Sequence, residues 1–464
     1  MEQERIHFIG IGGAGMSAIA TVLLEMGVPV SGSDLKESAN SRRLAELGAR
    51  IAIGHRPQNI EDASTVVISS AIPDSNPELA AARESGIEVL IRAEMLARLG
   101  RRKKTLAVAG THGKTTTTSM IALVLERAGL EPTFLIGGEL NDIGSNAKHG
   151  AGEYLVAEAD ESDGSFLHLA PHIAVVTNVE ADHLDHYDSF EQIKETFARF
   201  LSKLPPDGAA IVCGDDAALL EIARACAPIV VSYGFAAHND YRATDPAALN
   251  GGGKFEVTER GSRLGPVRLK VPGDHNMANA LATIAAARLL GLEFDAIAGV
   301  LAEFSGVKRR FQHIGCLGQV TVVDDYAHHP TEVRATLAAA KGGEWRRVVC
   351  VFQPHRFSRT RLLGSEFGRA FDEADVVVLT DVYGAGEEPE PGVSGKLLVD
   401  AVLRRSPRAQ VAYIPKRGDI ASFLRSSVRG GDLVITMGAG DVWTCGPELL
   451  EALEGEGEGS EATP

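Results

Sequence analysis

Short apolar, β-branched runs alternate with helix-patterned stretches from one end of this chain to the other, and that alternation limits the fold more than any other feature. Ile6–Ile9, Thr65–Ile68, Leu106–Ala109, Tyr154–Ala157 and Ile173–Val176 read as buried strands, and so do Val320–Val323, Val348–Phe352, Val376–Leu379 and Leu433–Thr436. A strand that is apolar on both faces needs cover on both faces. With helical stretches such as Ser119 to Ala128 between the strands, ended by Gly129, the expected class is α/β with mostly parallel sheets. At about 150 residues per domain, 464 residues suggest two to four domains. The basic cluster Arg98, Arg101, Arg102, Lys103 and Lys104 and the segment Gly306 to Phe311 mark two boundaries. The expected division is therefore 1–100, 101–306 and 307–450, followed by an acidic Gly/Glu-rich tail over 451–464 that is expected to be disordered. Between Asp240 and Val271 the pattern changes to short, Gly-rich alternating pieces, as in a small antiparallel excursion from the central domain.

Composition removes several function classes. Hydrophobic residues at 44% and charged residues at 23% exclude wholesale disorder, collagen and coiled coil. No apolar run approaches the roughly 18 residues of a membrane span. The acidic start from Met1 to Arg5 leads into a strand and does not resemble a signal peptide. The five cysteines (Cys213, Cys226, Cys316, Cys350 and Cys445) are scattered, which argues against a disulfide framework or a zinc site and for a cytoplasmic setting. A net charge of −16, from 46 basic and 62 acidic residues, argues against nucleic acid as a partner.

Two glycine loops follow strands. Gly10-Ile11-Gly12-Gly13-Ala14-Gly15 is a full G-x-G-x-x-G, whose glycines permit a tight turn and let backbone amides approach a pyrophosphate. Asp34 lies at the end of the next apolar segment, where a carboxylate can accept from ribose hydroxyls. Taken alone, this motif most often belongs to a nicotinamide or flavin enzyme, or to a turn that binds nothing. Gly110-Thr111-His112-Gly113-Lys114-Thr115 is a phosphate loop: amides cradle phosphates, Lys114 neutralises charge and the Thr115 hydroxyl ligates Mg²⁺. Val108 stands where the full pattern has its leading glycine, which argues against an ordinary P-loop GTPase.

Acids and histidines cluster at the ends of later strands, where parallel α/β domains gather their ligands. Glu158 ends one strand, with Asp160, Glu161 and Asp163 just after it, and His183 follows the next. Glu158 and His183 could join Thr115 around a metal that bridges phosphates; Glu161 is a rival to Glu158, while Asp160 and Asp163 read as solvated. Asp325-Tyr326-Ala327-His328 and His355-Arg356-Phe357-Ser358-Arg359 also follow strands. Two arginines three apart at a helix start can grip one carboxylate, or can simply be a surface pair. Asn276 and Asn279 could read a base edge, with helix capping as the plain alternative for Asn276. Arg310 could reach phosphate or belong to a basic linker.

A dinucleotide-type loop, a phosphate loop and a third α/β domain in one chain are not a dehydrogenase pattern. Together the motifs Gly10 to Ser17, Gly110 to Thr116, Glu158 to Phe166, Asn178 to Asp185, Asp324 to Pro330 and Phe352 to Thr360 resemble the Mur ligase family, the ATP-dependent amide-bond formers of peptidoglycan synthesis. The resemblance implies an N-terminal Rossmann-like domain for a UDP-sugar, a central ATPase domain and a C-terminal Rossmann-like domain. It implies UDP-N-acetylmuramate, L-alanine and ATP as partners, Mg²⁺ as cofactor, no stable membrane insertion, and a monomer or homodimer. Gly12, Gly13, Ala14, Gly15, Met16, Ser17, Asp34 and Ser70 would hold the sugar nucleotide. Gly110, Thr111, His112, Gly113, Lys114, Thr115 and Thr116 would hold ATP, joined by Asn276, Asn279, Arg310 and Asp325. Thr115, Glu158 and His183 would hold metal. Tyr326, His328, His355, Arg356 and Arg359 would surround the alanine. Lys114, His183 and His328 are the catalytic candidates, with the general base open between the two histidines. Several members of the family carry a carbamylated lysine after the His183 motif; only Lys194 and Lys203 follow here, neither clearly in register, and none is assigned.

Overall fold

A computed structural model describes residues 4–182, 186–249 and 251–457. It contains three α/β domains, each built on its own sheet. The N-terminal sheet runs in the order Arg50–Ile53, Val30–Asp34, Ile6–Ile9, Thr65–Ile68, Glu88–Ile91, all parallel. Strand order reverses on either side of Ile6–Ile9, and the first glycine loop leaves the carboxyl end of that strand, the usual place for a ligand crevice. The central sheet has Lys104–Ala109 in its middle, between Ile173–Val176 and Tyr154–Glu158. The phosphate loop and the acids after Glu158 therefore leave neighbouring strands on the same edge. The C-terminal sheet runs Gln312–Leu317, Val320–Asp325, Asp432–Met437, Arg347–Phe352, Val376–Leu379, Val411–Tyr413; the first pair is antiparallel and the rest are parallel.

The described residues group into two compact units. One comprises Met1–Thr244, Glu256–Val267 and Ala278–Phe304; the other comprises Asp245–Phe255, Arg268–Met277 and Ser305–Pro464. The expected excursion is the set of strands Tyr241–Leu249, Gly252–Glu259 and Ser262–Leu269, which are neighbours at one edge of the central sheet. Arg260 and Gly261, both at positive φ, make the tight turn between the last two, as a two-residue hairpin loop requires. The continuously apolar strands are buried as their composition demands: Leu106 to Ala109 and Val434 to Ile435 are fully inaccessible.

The acidic tail differs from expectation. A helix spans Cys445–Gly457, so 451–457 is helical rather than disordered; residues 458–464 lie outside the described residues. The reason is periodicity: Leu449 is buried in the C-terminal core and Leu450 and Leu453 pack against it, carrying an apolar stripe past the first acidic residues. Among the described residues no helix is long and apolar enough to cross a membrane.

Candidate active site

The phosphate loop turns directly into the helix Lys114–Arg127, whose N-cap Gly113 sits at φ 84° and provides no side-chain cap. The first amides of that helix are thus left for an anionic ligand. Two residues of the next strand's end brace the loop from beneath. Asn178 accepts from His112 N at 2.9 Å and donates to His112 O at 3.1 Å, and Thr177 Oγ1 donates to the same carbonyl at 2.5 Å. Gly110, at φ 126°, lies so close that an added Cβ would meet Thr177 Oγ1 at 2.2 Å. Gly110→Ala is expected to weaken ATP binding at least about tenfold, through strain and a displaced loop, as read by calorimetric titration.

The Lys114 ammonium donates to Gly110 O at 2.6 Å, Thr111 O at 3.2 Å and Glu161 Oε1 at 2.9 Å. Burial works against its charge, but the carboxylates of Glu161, Glu158 and Asp160 outweigh that and hold its pKa above the ordinary lysine value. Burial lifts Glu161 to about 7, against the pull of Lys114 and with the push of Asp160. Of the two rival acids, Glu161 faces the lysine directly. Glu158 accepts from Gly137 N at 2.9 Å, which ties the strand Thr133–Leu140 to the strand that ends at Glu158. Thr115 and Thr116 are buried in the first helical turn, and Asn279 Oδ1 accepts from Thr117 Oγ1 at 3.1 Å, beside Gly113. Asp160 is half-buried, not freely solvated. His183, a candidate metal ligand and base, lies outside the described residues.

At the other glycine loop, Gly10 N and Ile11 N donate to Ser33 O at 2.8 and 3.0 Å, and Gly12 N donates to Asp34 Oδ2 at 2.9 Å. Asp34, expected beside a ribose, therefore commits one oxygen to bracing the loop; the other accepts from Leu35 N at 2.8 Å. A Cβ on Gly12 would sit 2.7 Å from Ser38 Oγ and 2.8 Å from Asp34 Oδ2, so a side chain there would displace the Asp34 carboxylate that braces the loop. Gly13 caps the helix Ala14–Glu25 without a side chain, leaving amides toward Gly15 for an anion. Met16 points into the hydrophobic core, the Ser17 hydroxyl turns back to Ala14 O at 3.0 Å, and Ser70 is exposed just after Thr65–Ile68.

The C-terminal cluster forms within one unit. Asp325 accepts from Phe311 N and Ala327 N, both at 2.8 Å, and burial lifts its pKa to about 6 against the pull of Arg310. The Arg309 and Arg310 guanidinium carbons lie 5.0 and 5.3 Å from the centre of the Tyr326 ring. Arg309 is tied to buried Asp324 at 2.9 Å, while Arg310 is 3.8 Å from Glu332. Tyr326, His328 and His355 follow one another edge to face, at 5.3 and 5.8 Å between ring centres, and Tyr383 stacks on His355 at 5.9 Å. Burial lowers His328 to about 4 and His355 to about 3, so both rings are neutral near pH 7. His328 Nδ1 lies 3.0 Å from Tyr326 O, which makes it the donor nitrogen and leaves Nε2 as the acceptor. Arg356 adopts φ 67°, ψ 140°, a conformation that costs a non-glycine residue about 1–3 kcal/mol. Its N–H donates to Tyr383 O at 2.8 Å, and its carbonyl accepts from Thr360 Oγ1 at 2.7 Å. Asn276 is buried in the first turn of the helix Asp274–Leu289 and donates to Pro272 O at 2.7 Å.

Thr177, Asn178 and Tyr383 had no assigned role from sequence. For Asn178 a signal existed, since it opens the run that contains His183; for Tyr383 there was none.

An N-terminal nucleotide-type sheet, a central phosphate-loop domain and a C-terminal sheet edged with arginines and histidines define a nucleotide-dependent ligase of three domains, and the chain belongs to the Mur ligase family. The family's catalytic domain matches residues 5–104, its middle domain 108–287 and its glutamate ligase domain 309–440. Among individual proteins, the UDP-N-acetylmuramate–L-alanine ligase of Desulforamulus reducens is 52% identical over 98% of both chains. That of Geotalea daltonii is 51% identical over 97% of this chain and 98% of its own. The crystal structure of a UDP-N-acetylmuramate-alanine ligase from Thermotoga maritima superposes with a TM-score of 0.83 at 32% identity, covering 97% of this chain and 99% of that one. A murein peptide ligase from Psychrobacter arcticus shares the fold, with a TM-score of 0.72 at 24% identity over 97% of this chain and 98% of its own.

Proposed function

We propose that this chain is the ATP-dependent ligase that joins L-alanine to the carboxylate of UDP-N-acetylmuramate, through an acyl phosphate, in peptidoglycan precursor synthesis. One observation supports this above the others: near-complete coverage by relatives about half identical, all carrying that activity in their names. We further read the working domains as 1–100 for the sugar nucleotide, 101–306 for ATP and 307–450 for the amino acid.

The residues suit the chemistry. A carboxylate is a poor electrophile and must be activated. The muramoyl carboxylate attacks the terminal phosphorus of ATP, and ADP leaves; the alanine amine then attacks the acyl carbonyl, and phosphate leaves. Both early reactants are anions. The buried Lys114 and the uncapped amides of the phosphate loop lower that repulsion where charge concentrates. The oxygen donors fit a hard divalent cation: the Thr115 hydroxyl and the Glu158 carboxylate, with His183, would hold Mg²⁺, and Glu161 is the rival of Glu158 for that role. Bound there, Mg²⁺ would neutralise phosphate charge. In the C-terminal domain, Arg356 and Arg359 at the start of the helix Phe357–Ala370 would hold the alanine carboxylate, and neutral His328 would offer Nε2 to an amine proton.

The test is a reaction of the purified chain with UDP-N-acetylmuramate, ATP and a panel of amino acids and a tripeptide, monitored by ADP and phosphate release. Stoichiometric phosphate with L-alanine is expected. Preference for the tripeptide would move the chain to the peptide-reattaching branch of the family.

A further inference from the structure

We propose that Arg92 binds the pyrophosphate of the sugar nucleotide, supplying the positive charge that the glycine loop lacks. This rests on the reading that the loop takes the UDP end of that substrate. No residue from Gly10 to Ser17 is basic, so the loop offers backbone amides alone to a dianion. Arg92 opens the helix Arg92–Gly100 directly after the strand Glu88–Ile91, on the same carboxyl edge of the N-terminal sheet as the loop. Its side chain lies flat against Gly15: a Cβ built there would be 3.0 Å from Arg92 Cδ, 3.3 Å from Nη1 and 3.5 Å from Nε. A methyl group at Gly15 would press on the Arg92 side chain, which would have to give by a few tenths of an ångström. On its far side Nη2 is 3.8 Å from Asp160 Oδ2. That separation is longer than a hydrogen bond, so Asp160 orients the group by charge and leaves its donor fork for a ligand. The side chain is 27% exposed, which suits a residue that meets a ligand from solvent. A planar fork beside amides at a helix N-terminus is the geometry in which arginine grips phosphate oxygens in pairs.

The test uses the full chain and measures, by calorimetry, the affinities for UDP, UDP-N-acetylmuramate and ATP in the native protein, Arg92→Ala and Arg92→Lys. UDP carries the pyrophosphate but no muramoyl group. Arg92→Ala should lose about 30-fold in affinity for UDP and for UDP-N-acetylmuramate by the same factor, Arg92→Lys should recover part of it, and ATP should change less than twofold. If Arg92→Ala is poorly folded, Arg92→Gln keeps the bulk without the charge and is expected to give the same selective loss. Unchanged UDP affinity in a folded variant overturns the proposal. So does a loss confined to UDP-N-acetylmuramate, which would assign the guanidinium to the muramoyl end, or an equal loss for ATP, which would indicate general damage. Failure of the native protein to bind UDP-N-acetylmuramate would instead refute the underlying reading.

Discussion

Lys114→Ala is expected to lower kcat/KM by about 10³-fold or more, roughly 4 kcal/mol of transition-state stabilisation. In the proposed mechanism the ammonium meets the charge of the transferred phosphoryl group; it is held by two loop carbonyls and Glu161, and its burial makes each contact stronger than it would be in water. Loss of folding does not account for such a defect. The carboxylate left behind, Glu161, already has a pKa near 7 and can take up a proton where a fully ionised acid would be stranded. The variant should therefore melt close to the native temperature while steady-state phosphate release at saturating substrates collapses. Turnover within tenfold of the native protein would remove Lys114 from the mechanism.

Glu78→Ala is expected to cost about 3–5 kcal/mol of stability, with no residue of the phosphate loop involved. Glu78 lies on the helix Pro77–Glu84 beneath the N-terminal sheet and is completely inaccessible. Ser33 Oγ donates to it at 2.5 Å and Arg56 N at 3.1 Å, Asn59 Nδ2 donates as well, and His7 Nε2 and His55 Nδ1 lie 3.5 and 3.4 Å away. Burial alone would raise its pKa, but the hydrogen bonds from His7, Ser33, Asn59 and the Arg56 amide reverse that and hold it at about 2. Alanine would leave several buried donors without an acceptor. The pH dependence has a definite sign. The folded pKa is depressed below the ordinary 4.5, so the stabilisation is full above about pH 5 and is lost as pH falls toward 2, amounting to about 3 kcal/mol. Denaturant melts of the native protein and Glu78→Gln should differ most near pH 6 and converge on acidification. A gap that stays constant from pH 6 to pH 3 would refute this account.

The same cluster explains why part of this protein could not be read in advance. His7, Ser33, Asn59 and Glu78 come from two strands, a short helical turn and a helix, and no spacing along the chain joins them. Burial on one face of the N-terminal sheet brings them together, since His7 alternates with Phe8 and so faces the opposite side from the main core. Asp34 shows the reverse case. Its position after the glycine loop was legible, but its hydrogen bond to Gly12 N depends on the loop folding back over the strand Val30–Asp34. Sequence weighed Glu161 against Glu158 only as metal ligands and did not foresee Glu161 as the direct partner of Lys114, because a turn after the strand end decides which carboxylate points inward.

What the sequence determined by itself is the alternation of buried strands and helices, and the two glycine loops at strand ends. Both follow from local chemistry: β-branched apolar runs need cover on both faces, and only glycine accepts the positive φ of Gly10, Gly110 and Gly113 without strain. What only tertiary structure decided is which charges meet. Lys114 with Glu161, Arg92 against Gly15 and the forced backbone of Arg356 beside Tyr383 all join segments far apart along the chain. Electrostatic and steric contacts depend on distance in space, and sequence separation carries no information about that distance until the sheets have formed.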